Sequence, residues 1–239
     1  MAKKARTPAP PRPVQAPQRR GAKSRPALDS GDRRARLWLG IFALSGVVAV
    51  AIVLAVILLS GGGGKKSSAG VPKVDPNSLP GLQRTPAPWR VDYAHMTDRL
   101  SPLGLNALSQ EALAYHIHQH LDIFIDGKKV KVPALVGIND DSYITQLHSH
   151  DATGVIHVES PNKRTYTLGQ FIWEWGVYFT KDCLGSYCAG GGKRWHVYVN
   201  GQPYHGDMTT IPLKAHEEIA LAYPTPPNKV PKTYNWKGL

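Results

Sequence analysis

Apolar residues fall along this chain in two different arrangements. Over residues 37–59 a run of 23 positions, LWLGIFALSGVVAVAIVLAVILL, carries no charge and no side-chain amide. As a helix rising about 1.5 Å per residue it spans about 35 Å, enough to cross a hydrocarbon core of about 30 Å. Gly40, Ser45 and Gly46 are breaks that membrane helices tolerate. Downstream, apolar and polar residues alternate in short segments. Between 115 and 125, Ile117, Leu121, Ile123 and Ile125 share one strand face. His116, His118, His120 and Asp122 share the other, with Gln119 and Phe124 as exceptions to the alternation. Asp126-Gly127 is a two-residue hairpin signal that leads into a return strand over 129–132. Further strands are expected over 153–160, over both arms of a hairpin turning on Asn200-Gly201, and over 216–223. A short helix is expected over 109–114. A longer one over 167–179 opens on Thr167 and carries apolar Leu168, Phe171, Ile172 and Trp175.

The segment LDIFIDG (121–127) resembles WHVYVNG (195–201), and each is followed, after a gap, by an apolar strand. The expected fold class is therefore α+β: a single-pass transmembrane helix over 37–59, then a β-rich extracytoplasmic domain over 91–239. That domain has two hairpin-plus-strand halves and one main helix. Residues 60–90, glycine-rich and then proline-rich, are expected to be a linker. Residues 1–36, rich in Pro, Ala, Arg and Lys, are expected to be a disordered tail.

Charge sharpens this picture. The tail holds a basic excess of nine of the chain's twelve, so the remainder is nearly balanced and gives no electrostatic case for binding nucleic acid. Arg33, Arg34 and Arg36 abut the apolar run, whereas Lys65 and Lys66 lie beyond four glycines at its other end. This bias keeps the N-terminus in the cytoplasm and places the C-terminal domain outside. A cleaved signal peptide is the competing reading. The apolar run exceeds the usual 7–15 residues of a signal core, and the small residues Ser67-Ser68-Ala69 lie behind two lysines, which favours an uncleaved anchor. The basic tail suits anionic headgroups, and its proline-rich stretch also suits an adaptor.

Outside the membrane thiols oxidise. Cys183 and Cys188, in CLGSYC, are expected to form a disulfide. A thiolate metal pair or redox couple is the alternative, but the spacing is not CxxC and there is no second pair.

Six of the ten histidines lie between 116 and 157, as His116-x-His118-x-His120, His148-x-His150 and His157. Strand residues two apart point the same way, so an HxH pair directs two imidazoles at one ion. Neutral imidazole suits Zn(II) and Cu(II). The expected ligands are His118, His120, His148, His150 and His157, with His116 and His196 as possible additions. Asp122, Asp151 and Glu159 are placed to orient the rings, and Glu159 is also a candidate general base. His95, His205 and His216 stand alone in the sequence. With the cysteines paired, and Met96 and Met208 the only methionines beyond Met1, the soft ligands of a Cu(I) carrier are lacking. No Gly-x-Ser-x-Gly or HExxH motif is present, and Gly190-Gly191-Gly192 lacks P-loop spacing.

The stretches HIHQHLDIFIDGKKVKVPA, LHSHDATGVIHVESP, TLGQFIWEWGV and VYVNGQPYHGD resemble an uncharacterised family of membrane-anchored or exported His-rich bacterial and archaeal proteins. The resemblance covers about 115–223, is most specific in the LHxHDxxGVIHVESP block, and implies an anchored extracytoplasmic domain without supplying an activity or metal. Three functions stay open: a tethered Cu or Zn protein, a metal-dependent envelope enzyme, and a metal-free interaction module.

Overall fold

A computed structural model describes residues 70–139 and 142–239. The basic tail, the apolar run and the first part of the linker lie outside the described residues. Among the described residues no helix is long and apolar enough to cross a membrane. The strands are β1 (Ala107–Leu108), β2 (Tyr115–Ile125), β3 (Lys128–Val130), β4 (Ile138–Asn139), β5 (Tyr143–Thr145), β6 (Leu147–His148), β7 (Val155–Ser160), β8 (Cys183–Leu184), β9 (Tyr187–Cys188), β10 (His196–Val199), β11 (Gln202–Pro203) and β12 (Glu218–Tyr223). The helices are α1 (Met96–Leu103) and α2 (Leu168–Trp175).

The domain is β-rich. Its main sheet has the order β11-β10-β12-β2-β7-β6, with β3 also on β2. Both hairpins turn where the sequence signals them. Asp126 and Gly127 have φ of 50° and 73°, and Asn200 and Gly201 have 52° and 75°. Two consecutive positive φ values match the right-handed twist of the flanking strands, and Asp, Asn and Gly tolerate them best. In each half the long hairpin strand pairs antiparallel with the strand that follows, β2 with β7 and β10 with β12. The halves join through the parallel pair β2–β12. They are not equivalent: β3 and β7 share one edge of β2, whereas β11 and β12 flank β10 on opposite edges.

Leu121, Ile123, Ile156, Val158, Ile219 and Leu221, from one face of this sheet, join Leu168, Phe171, Ile172 and Trp175 of α2 in one buried cluster. Thr167 starts α2 with a capping box, its side chain accepting from the Gln170 backbone while Gln170 reaches back. The helix stops at Trp175, short of the expected 179, because Gly176 turns left-handed at φ 94°.

Two sequence expectations change. Residues 109–114 form bends and a turn, not a helix, because one isolated turn is too short to sustain itself. The additional helix is α1, which buries Met96, Arg99, Leu100 and Leu103. Arg99 breaks the apolar pattern there, yet it is fully buried. Its guanidinium donates to the Pro80, Asp92 and Glu174 carbonyls and to the Asp92 carboxylate at 2.7–3.0 Å. The folded unit also begins upstream of residue 91. Leu79 and Trp89 are buried, the Gln83 N–H donates to the Gly176 carbonyl at 2.8 Å, and Trp89 meets Trp175 edge-on. Cys183 and Cys188 form the expected disulfide, closing the β8–β9 hairpin.

Candidate metal centre

The site follows from register. His118 of β2 lies opposite His157 of β7, and His157 lies opposite His148 of β6. Residues opposite one another share a sheet face, so three imidazoles form a row across three strands. One step along, His116 lies opposite Glu159. The Glu159 carboxylate then meets three rings: its Oε1 is 3.1 Å from His116 Nε2, 3.5 Å from His157 Nδ1 and 3.7 Å from His148 Nε2. His116 and His118 approach to 2.8 Å between their Nε2 atoms. His150, just beyond β6, brings its ring to 4.5 Å from that of His157 and 4.9 Å from that of His148.

The cluster is graded in depth. His148 and Glu159 are buried, His118 and His157 nearly so, and His116 and His150 form an exposed rim with side chains 36 % and 44 % accessible. The His148 Nδ1–H donates to the Thr145 carbonyl at 2.9 Å. A carbonyl only accepts, so this bond fixes the tautomer and leaves the Nε2 lone pair directed at the cluster, the usual way a metal-binding imidazole is oriented. His148 Nε2, His157 Nδ1 and Glu159 Oε2 are all buried without a hydrogen-bond partner in the protein. An unpaired buried polar atom costs about 1–3 kcal/mol, so a ligand that engaged all three would be favoured at this place.

Electrostatics keep the donors available. Burial, then the neighbouring His148, His118 and His150, push the His157 pKa down to about 3 against the pull of Glu159. Burial and His116 lower that of His118. Burial alone would raise the Glu159 carboxyl, but its polar contact with His148 and the charges of His148, His116 and His157 hold it below the ordinary value. Neutral imidazoles beside an ionised carboxylate are the protonation states that bind metal.

Not every expected ligand arrives here. His120 belongs to a separate buried group with Asp122 and Glu218. Its Nε2–H donates to the Thr153 carbonyl at 2.9 Å, its Nδ1 shares a hydrogen bond of 2.8 Å with Glu218, and its ring stacks on Tyr234. Both nitrogens are therefore engaged. Asp122 is ion-paired with Lys129. Asp151 accepts from the Thr153 N–H at 2.9 Å and from its hydroxyl, which shapes the turn before β7. His196 lies two strands away from β2, its Nε2–H donating to the Pro224 carbonyl at 3.0 Å. Sequence reasoning missed Glu218, which faces His120 through the parallel β2–β12 pair, and Thr145, whose backbone rather than side chain acts. The adjacent Glu217 and Glu218 are visible in the sequence, but nothing local connects them to residue 120.

No family model, curated protein or solved structure matches the chain. The functional reading therefore rests on geometry: five imidazoles and one carboxylate gathered on one sheet face, able to hold a metal ion.

Proposed function

We propose that this chain is a membrane-tethered, extracytoplasmic metal-binding protein that holds Cu(II) or Zn(II) through His148, His157 and Glu159, supplemented by His118, His116 and His150. The observation that carries this reading is the set of buried, unpartnered donor atoms on His148, His157 and Glu159. Nitrogen donors with one carboxylate and no sulfur suit these borderline ions. The 23-residue apolar run and the basic residues before it support the tether and its orientation. The gathering of the histidines weighs against a metal-free interaction module, and we keep the chain with the exported His-rich proteins that its motifs resemble.

A second reading, a metal-dependent envelope enzyme, draws on the exposed rim at His116 and His150, which faces solvent as an open coordination position does. Elemental analysis and calorimetric titration of the full-length chain with Zn(II) and Cu(II) test the main proposal. Stoichiometric metal is expected in the native chain, with at least tenfold weaker binding in His148→Ala and His157→Ala. Absence of bound metal from the native chain, with no thermal stabilisation by either ion, removes both metal readings. Azide perturbing the Cu(II) spectrum would show an exchangeable position and favour the enzyme.

A further inference from the structure

We infer that the centre is built for two cations side by side, sharing Glu159. This rests on the metal-binding reading above and specifies how many ions the site takes. The six donors fall into two sets: His148, His150, His157 and Glu159, and His116, His118 and His157. Within each set the ligand atoms lie within 4.8 Å of one another, and the sets meet at His157.

A single ion does not reach all six. Bonds to nitrogen and oxygen are about 2.0–2.2 Å, so donors on opposite sides of one ion are at most about 4.4 Å apart. The row runs His118–His157–His148 across three adjacent strands. The six donors gather as two groups, each within 4.8 Å, and not as one. Glu159 suits a bridging role, because a carboxylate has two oxygens, whereas the neutral His157 imidazole has a single lone pair and serves one ion. Glu159 borders both sets, with its Oε1 3.1 Å from His116 Nε2 and 3.7 Å from His148 Nε2, and its Oε2 is buried and unpartnered. Ions bridged by a carboxylate lie about 3.5–4 Å apart.

The two positions differ in burial, so they fill in order. The set with fully buried His148 binds first. The set closed by exposed His116 binds second and more weakly.

The test is a Cu(II) titration of the metal-free full-length chain, followed by elemental analysis and by electron paramagnetic resonance with spin counting. Two equivalents are expected. The first gives the full signal of an isolated ion. The second makes the counted spins fall below the copper present and adds a half-field transition. His116→Ala, a change at the exposed rim that spares the core, is expected to retain one equivalent with full spin count. One equivalent in the native chain overturns the inference while leaving the metal reading intact, as do two equivalents that count as isolated spins. No bound copper removes the metal reading itself.

Discussion

Glu174 shows what a single side chain contributes outside the metal centre. It is fully buried in α2, and that burial pushes its carboxyl up to about 8 against the pull of Thr145 and Arg99. The folded chain therefore keeps a proton that the unfolded chain releases near the ordinary carboxylate value. Where the native state binds more protons, stability falls as pH rises. The contribution is complete below about pH 4.5 and is lost as pH climbs toward 8. Glu174→Gln keeps the shape and removes the proton, so its melting temperature should match the native one near pH 4.5 and exceed it increasingly up to pH 8. Thermal unfolding of the metal-free chain across that range checks this, and a gap that stays constant with pH would show that Glu174 is not neutral. At this scale the sequence says which residues bear chemistry, not their surroundings. Glu174 in LGQFIWEW reads as a polar position on an amphipathic helix, but every residue of α2 is buried.

Elements were most readable where local chemistry dictates their limits. The capping box at Thr167 is visible as Thr-x-x-Gln, and Thr167→Ala should cost about 1 kcal/mol in urea unfolding, the usual loss for a removed cap. Gly154 is the opposite case, because its role depends on a neighbour distant in sequence. It enters β7 at φ 100°, and a Cβ there would lie 2.6 Å from the Leu121 carbonyl oxygen and 2.9 Å from His120 Nε2. Gly154→Ala combines a disfavoured backbone with a clash against β2, so a loss of about 1–3 kcal/mol is expected. Equilibrium unfolding measures it, and a change below about 0.5 kcal/mol would mean that β2 and β7 do not pack this closely. The α1 helix was hidden because its buried stripe includes an arginine, satisfied by carbonyls from three other segments.

Across the whole domain, the C-terminal residues return over the histidine face of the sheet. Tyr234 stacks on His120 at 4.1 Å, Trp236 stacks on His216 at 4.9 Å, and the Lys232 side chain lies beside Gly201. The ring contacts of this strap fall on His120 and His216. Replacing both Tyr234 and Trp236 with alanine should lower stability by about 1–3 kcal/mol through the lost stacking, with metal stoichiometry unchanged. Loss of metal from that variant would show instead that His120 belongs to the centre. The same long-range packing buries Leu79 and Trp89, although the proline-rich composition around them alone reads as linker.

The sequence by itself determined the strand faces, the two hairpin turns, the cap of α2, the cysteine pairing and the presence of many histidines on one polar strand face. Each follows from side-chain alternation or from chemistry within a few residues. Only the tertiary structure decided which histidines meet. His118 and His120 look equivalent in HIHQHLD, but they stand about 7 Å apart along β2. That spacing sends one to His157 and Glu159 and the other to Glu218. Strand register sets such partners, and register depends on how distant segments pack, which no local pattern encodes.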